Sequence, residues 1–221
     1  MFTFEQNLRR EICNAALALH KSGMSFATFD KSKCNSDFWT RTSNGGWRTA
    51  GGAAAIRDIF DNGYKYATEC ATAMMIVYYK AILEVYGEEL FNKTFTSIYL
   101  MGWDVRDPLL MKVATMNNVD KLLAGDRGYF ANPDHSADLP QWQGENVIVL
   151  EDDLYYGHGI GVENSKNIIN SLNSKRKIGN PQSAYLMNKA GRPDFTKLER
   201  VMSADKVMTI WRAFPTEKMF V

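Results

Sequence analysis

The most apolar stretch of the chain, residues 71–79, lies inside a segment, residues 70–86, whose pattern predicts an α-helix. A helix that is apolar on nearly every side is typical of a core helix. The run is far shorter than the roughly 20 apolar residues that cross a bilayer. We therefore expect no membrane anchor and no membrane partner.

Size, charge and cysteine content narrow the class of protein. A chain of 221 residues with 45% hydrophobic residues can build one domain around a sizeable core. Its net charge of +1 argues against a nucleic-acid partner. The three cysteines fit neither a zinc pattern nor a disulfide framework, and the N-terminus lacks the features of a signal peptide. Reduced thiols in the cytoplasm are the expectation.

The order of predicted elements, helices first and strands later, favours an α+β fold with an antiparallel sheet. Helical spacing covers residues 4–21, and the clearest hairpin joins residues 147–150 to 154–156. The other expected elements are an extended piece at 25–29, a loop or hairpin within 31–52, a helix over 53–63, a strand within 94–103, a strand before Asn132-Pro133, a helix over 163–179 that Gly179 ends, a turn or short helix within 183–192, and a strand or loose extension over 202–221.

Cys70 stands at the predicted start of the apolar helix, followed closely by the small residues Ala71 and Ala73. The free N–H groups of a helix's first turn would lower the pKa of this thiol and would help to hold an oxyanion. The alternative interpretation is a buried, inert thiol, because cysteine is among the most buried residue types. The pattern alone leaves both interpretations open.

Three further titratable side chains are candidates for a site. Glu69 would raise the pKa of the adjacent thiol when ionised, so it is either a proton acceptor or a charge that stabilises the helix start by about 0.3–1 kcal/mol. Glu145 opens an apolar strand next to Trp142 and Gly144; burial there would raise its pKa and suit it to general base work, whereas a solvated strand end is the alternative. His158 lies between two glycines, either as the base of a Cys nucleophile or as a turn residue.

The remaining polar motifs point to no metal, nucleotide or other cofactor. His20 and His135 are expected to be structural or solvated. The acidic run at 151–153 lacks the spaced oxygen ligands of a calcium loop, so a hairpin turn is expected. The chain contains neither a P-loop nor a G-x-G-x-x-G fingerprint.

Six stretches of the sequence together resemble one family. They are HKSGMSFATF, AIRDIFDNG, YATECATAMMIVYY, QWQGENVIVLEDDLYYGHGIG, SLNSKRKIGNPQSAYL and AGRPDFTKL. Their order and spacing, over about residues 16–200, are similar to those of the Bacillus-type spore-coat transglutaminases, the protein-glutamine γ-glutamyltransferases.

This resemblance implies a papain-like fold of the NlpC type, with the Cys-bearing helix packed on a central antiparallel sheet. Together with the absence of a recognisable domain linker, it leads us to expect one catalytic domain over residues 1–221, with an N-terminal helix at 1–20 and a C-terminal extension at 202–221 that has no counterpart in the family. The resemblance also implies a calcium-independent enzyme of the spore coat. We expect no cofactor and a monomer. Its partners would be proteins that supply glutamine and lysine side chains.

The resemblance also assigns functional residues. The family's nucleophile falls on Cys70, its carboxylate partner on Glu145, a partly redundant second base on Glu69, and its histidine on His158. The aromatic residues that line the family's substrate passage match Phe26, Trp103 and Trp142.

The expected reaction is attack of Cys70 on a glutamine γ-carboxamide, followed by transfer of the acyl group from the thioester to a lysine amine. One alternative is a cysteine amidohydrolase or peptidase that uses water as the acceptor. Another is a non-catalytic, cross-linkable structural protein in which Cys70 is simply buried. An added amine that competes with hydrolysis would distinguish a transglutaminase from the amidohydrolase or peptidase. A Cys70 thiol that is labelled faster than those of Cys13 and Cys34 would distinguish an enzyme from the structural protein.

Overall fold

A computed structural model of the chain describes residues 2–179 and 181–213. The helices are α1 (Phe4–Lys21), α2 (Gly52–Asp61), α3 (Cys70–Tyr86), α4 (Glu88–Thr94), α5 (Met111–Ala114), α6 (Ser165–Asn173) and α7 (Phe195–Ala213). The strands are β1 (Ser25–Phe26), β2 (Thr40–Arg41), β3 (Trp47–Thr49), β4 (Ala67–Thr68), β5 (Ile98–Leu100), β6 (Asn117–Asn118), β7 (Arg127–Ala131), β8 (Gly144–Glu151), β9 (Leu154–Gly157), β10 (Gly161–Glu163), β11 (Tyr185–Leu186) and β12 (Lys189–Ala190).

Helix α3, the helix predicted over residues 70–86, lies at the centre of the core. Between residues 71 and 83 only Lys80 is not buried. The apolar face of α1, spaced for a helix, packs along α3 and buries Leu8, Ile12 and Leu19. None of the helices within the described residues is both long enough and apolar enough to cross a membrane.

A five-stranded antiparallel sheet, in the order β10-β9-β8-β7-β11, packs against this helical layer. Its two faces serve two clusters of buried side chains. Ile148 and Tyr156 join the core around α3, while Val147 and Phe130 pack on the opposite side together with side chains of α6. The result is a mixed helix and sheet architecture in which β8 contributes side chains to both clusters.

Smaller strand pairs bring distant segments to the start of α3. Strand β1 pairs in parallel with β4, which places Phe26 opposite Thr68, two residues before Cys70. Strands β2, β3 and β5 form an antiparallel sheet, and β6 pairs with β12. The hairpin expected within 31–52 is thus present as β2 and β3.

Several predicted elements differ from the structure. The helix expected over 163–179 ends at Asn173, and β5 covers only part of the strand expected within 94–103, because α4 continues to Thr94. Residues 183–192 form no helix; they contribute β11 and β12, whose partners lie far away in sequence and leave no local pattern. The strand or loose extension expected over 202–221 is wrong for residues 202–213, which continue α7, and residues 214–221 lie outside the described residues.

Candidate active site

Cys70 is the first residue of α3, and Glu69 caps that helix. One carboxylate oxygen of Glu69 accepts a hydrogen bond from the Thr72 N–H at 2.7 Å, and the other accepts one from the Ala71 N–H at 2.6 Å. Burial raises the pKa of Glu69 in spite of these bonds, which act in the opposite direction. The helix donors that the sequence offered for an oxyanion are therefore already occupied by this side chain.

Cys70 is half-buried, and the carboxyl groups of Glu145 and Glu69 lie close enough to its thiol to act on it electrostatically. Burial raises its pKa, and the negative charges of Glu145 and Glu69 raise it further. The side-chain amide of Asn146 donates a hydrogen bond to Sγ at 3.3 Å, which acts in the opposite direction. The resting thiol is therefore protonated at neutral pH, and it needs a base before it can attack.

Glu145 is the buried carboxyl of this site, with only 2% of its surface exposed. Its Oε1 has no hydrogen-bond partner within the described residues. Burial, followed by the charge of Glu69, raises the pKa of Glu145 well above its ordinary value. Gly157 lies directly against it, since a Cβ at that position would stand 2.9 Å from Oε1. The result is a desolvated carboxyl group with an oxygen free to take a proton.

His158 does not reach the thiol through either of its ring nitrogens. Nε2 lies 3.2 Å from the carbonyl oxygen of Ser25, and Nδ1 lies 3.1 Å from the hydroxyl of Tyr156. Because a carbonyl can only accept, Nε2 carries the proton and Nδ1 accepts from the tyrosine. Burial lowers the pKa of His158 to about 4, so the ring is neutral. Its contacts tie the end of β9 to β1.

A cleft of about 920 Å³ opens over Cys70. Phe26 and Trp103 line it, together with Glu69, Met101 and Tyr129 among others. Trp142, predicted to line the cleft, does not do so; it stacks on Phe26 with ring centroids 6.1 Å apart and an interplanar angle of 20°. No group of three or more His, Cys, Asp or Glu side chains in the described part of the chain is placed to hold a metal ion.

Comparison with known proteins identifies the family. The family model described as protein-glutamine gamma-glutamyltransferase matches residues 1–202. The chain belongs to this family. It is 45% identical over 196 residues to a protein-glutamine gamma-glutamyltransferase of Bacillus mycoides. The aligned region covers 87% of this chain and 70% of the relative. It is 44% identical over 204 residues to a protein-glutamine gamma-glutamyltransferase of Bacillus cereus. That alignment covers 91% of this chain and 71% of the relative.

A solved structure from the same family has the same architecture. The transglutaminase from Geobacillus stearothermophilus, without its C-terminal extension, superposes with a TM-score of 0.83 and 42% sequence identity. The match covers 90% of this chain and 95% of that chain. The resemblance deduced from the six sequence stretches is thus confirmed.

In this transglutaminase-family chain, Asn146 contacts the thiol and Arg127 contacts Asn146, and neither residue is among those that the sequence predicts for the site. Asn146 is buried and contacts Cys70 Sγ, and its Oδ1 accepts a hydrogen bond from Arg127 Nη1 at 3.0 Å. A polar amide inside the apolar run ENVIVL was a sign of such a role, because a buried amide needs partners. Arg127 gave no comparable sign in sequence, since its position depends on the pairing of β7 with β8.

Proposed function

We propose that this chain is a calcium-independent transglutaminase that joins protein glutamine and lysine side chains through a Cys70 thioester. The observation that carries the proposal is the thiol at the start of α3, in a cleft, facing the buried carboxyl of Glu145 with its unpartnered oxygen. We further infer a papain-like arrangement. It is supported by the packing of the Cys-bearing helix on an antiparallel sheet.

In the first half-reaction, Sγ of Cys70 attacks the γ-carboxamide carbon, and Glu145 accepts the thiol proton. Burial makes Glu145 a stronger base than an ordinary carboxylate, so this transfer becomes feasible near neutral pH. The carbon–nitrogen bond then breaks, and the nitrogen takes the proton and leaves as ammonia. A thioester remains on Cys70.

In the second half-reaction, a lysine ε-amine attacks the thioester carbon and loses a proton to the same carboxylate. The carbon–sulfur bond breaks, the thiolate is reprotonated, and an isopeptide bond has formed. Water competes for the same carbon, so the apolar walls formed by Phe26 and Trp103 favour the amine. Glu69 is proposed as a second base, while His158 and Trp142 are proposed to position Phe26.

The wider setting of the proposal rests on the family resemblance. We place residues 1–221 in one monomeric catalytic domain whose partners are proteins. A cytoplasmic origin and a spore-coat role belong to the same proposal.

The deciding experiment compares Cys70→Ala with the wild-type protein. Wild type is expected to release ammonia from a glutamine-containing protein, and to incorporate a primary amine into it, with a calcium chelator present. Cys70→Ala is expected to do neither. Cys13→Ala is the matched control, since its thiol contacts the Val149 and Leu150 carbonyls instead of the cleft. Cross-linking by Cys70→Ala overturns the proposal, and ammonia release that no amine can compete with indicates an amidohydrolase.

A further inference from the structure

The start of α3 offers fewer free donors than a helix start normally does. The N–H groups of Ala71 and Thr72 bond the Glu69 carboxylate, and that of Ala73 bonds the Glu69 carbonyl at 3.1 Å. Within the described residues only the N–H of Cys70 itself is left without a hydrogen-bond acceptor at this helix start. Attack on an amide creates a full negative charge on oxygen, which one donor stabilises poorly. A second donor must come from outside the helix.

Asn146 is the polar group placed to supply it. Its Nδ2 donates a hydrogen bond to Sγ at 3.3 Å. In the tetrahedral intermediate, the oxyanion is attached to the carbon that Sγ has bonded, so it lies beside the sulfur. A donor that contacts Sγ at rest is therefore within reach of the roughly 2.7–3.1 Å separation that an oxyanion requires.

Arg127 fixes the orientation of this amide. Its Nη1 donates to Asn146 Oδ1, so that the NH₂ end of the amide must face the sulfur. Nη2 donates to the Ala114 carbonyl at 3.1 Å, and the guanidinium lies over the Trp103 ring, 3.9 Å from its centroid. Only 3% of Arg127 is exposed, and none of the described carboxylates forms an ion pair with it.

A buried cation without a counter-ion is costly, so its position calls for a reason. Burial lowers the pKa of Arg127 to about 10, still well above neutrality, so the group is charged in the working enzyme. Hydrogen bonding to this cation polarises the Asn146 carbonyl and makes its N–H groups better donors.

We propose that the Asn146 side-chain amide, together with the Cys70 N–H, binds the oxyanion of the tetrahedral intermediate, and that Arg127 is the positioning residue that holds and polarises this amide. The assignment rests on the proposed function and extends it by naming the group that stabilises the transition state. It also explains why the helix cap can bind the Glu69 carboxylate without disabling the site.

The first test uses Asn146→Ala together with iodoacetamide, which separates a role in activating the thiol from a role in binding the oxyanion. Alkylation by iodoacetamide requires the thiolate but creates no oxyanion, whereas acyl transfer requires both. We expect Asn146→Ala to lower kcat for ammonia release about 10²–10³-fold with KM nearly unchanged. Alkylation of Cys70 is expected to slow less than about tenfold, because only one hydrogen bond to the sulfur is lost.

The matched control is Asn35→Ala, another buried asparagine whose amide bonds a side chain, Asp58, away from the cleft. It is expected to leave kcat unchanged. Asn146→Asp keeps the shape and the Arg127 contact but has no side-chain N–H, so it is expected to be as slow as Asn146→Ala, and it serves if the alanine variant does not fold. Equal losses of kcat and alkylation rate in Asn146→Ala, or a kcat within threefold of wild type, overturn the proposal.

The second test addresses Arg127 through a double-mutant cycle. Arg127→Gln is expected to lower kcat, and Arg127→Lys to restore little of it, because lysine cannot bridge Asn146 and the Ala114 carbonyl while stacking on Trp103. In Arg127→Gln combined with Asn146→Ala, the loss is expected to equal that of Asn146→Ala alone. Additive losses overturn the positioning role.

These outcomes are distinct from failure of the proposed function. If wild type releases no ammonia and incorporates no amine, the transglutaminase assignment fails and takes the oxyanion assignment with it. If wild type is active, Cys70→Ala is inactive and Asn146→Ala is as fast as wild type, only the oxyanion assignment fails.

Discussion

The two carboxyl groups beside Cys70 differ in whether they have an oxygen free to accept a proton. Both oxygens of Glu69 already accept backbone hydrogen bonds, whereas Oε1 of Glu145 accepts none within the described residues. A proton transferred to Glu69 would weaken a helix cap, while a proton on Glu145 breaks no bond at Oε1. Glu145 is accordingly the better placed base, and Glu69 holds the helix that carries the thiol.

Amide substitutions test this division. Glu145→Gln is expected to lower kcat by about 10²–10⁴-fold, since it removes the proton acceptor while keeping the shape. Glu69→Gln is expected to lower kcat less but to cost more stability, because the amide can replace only one of the two carboxylate acceptors. Ammonia release and thermal melting measure the two effects. A larger loss of kcat at Glu69 would reverse the roles.

The raised pKa of Glu145 also makes a prediction about stability. The folded state binds the proton of this carboxyl more tightly than the unfolded chain does, so stability falls as pH rises from the ordinary glutamate pKa, near 4.5, through the raised folded value. Glu145→Gln removes this titration. Its melting temperature relative to wild type is therefore expected to rise between pH 4.5 and neutrality.

The control is Glu151→Gln, an exposed carboxylate at the far end of β8. It removes one carboxylate from the same strand at the surface, so a pH-dependent difference that both variants share would not be specific to the buried Glu145. A constant difference between Glu145→Gln and wild type over the same pH range would mean that Glu145 titrates normally in the folded protein.

At the scale of elements, the success of prediction followed how local the determinants are. Helix α3 and the β8–β9 hairpin carry their pattern in consecutive residues, so both are recognisable in sequence. Strands β11 and β12 contain two residues each and exist only because β7 and β6 supply partners. The continuation of α7 after residue 202 was not predicted for another reason: residues 203–209 are mostly exposed, so this part of the helix carries no apolar stripe.

The residues of the site also differ in how far their proximity can be predicted from sequence. Cys70 and Glu69 are adjacent at a helix start, so their proximity follows from sequence, but the approach of Glu145 to them depends on how α3 packs on β8. Family resemblance supplied that link for Glu145. Asn146 follows Glu145 directly in the chain, whereas its contact with Arg127 depends on the register of β7 against β8.

An ion cluster joins elements that are distant in sequence. Asp126 has no exposed surface and accepts hydrogen bonds from Arg9 of α1 at 2.8 Å and from Arg192, close before α7, at 2.8 and 2.7 Å. The residue immediately precedes β7, which carries Arg127. The cluster therefore fixes α1 and the chain leading into α7 to the sheet that forms one wall of the cleft.

Asp126→Ala is expected to destabilise the protein by about 3–5 kcal/mol, because it leaves two arginine side chains without their buried partner. Urea unfolding followed by circular dichroism measures the change. Asp152→Ala is the control: its ion pair with Lys121 is exposed, so we expect less than about 1 kcal/mol. A similar small effect at Asp126 would show that the cluster contributes little.

The whole molecule assembles the apolar wall of the cleft from segments that meet only in the fold. Phe26 comes from β1, which β4 anchors beside the start of α3, and its ring stacks on Trp142. It also contacts the turn after β9, since a Cβ at Gly159 would stand 2.9 Å from its ring, and the neutral His158 ring lies 6.2 Å away. Water exclusion at the thioester is thus a property of the assembled molecule.

Phe26→Ala therefore tests whether this wall determines how much of the thioester reacts with the amine and how much with water. We expect the fraction of released ammonia that is matched by amine incorporation to fall, because the smaller side chain admits water to the thioester. Total ammonia release should fall less, since Cys70 and Glu145 are untouched. Tyr64→Ala, an aromatic that is 72% exposed, is the control and should leave the fraction unchanged. An unchanged fraction in a folded Phe26→Ala protein would show that other groups exclude the water.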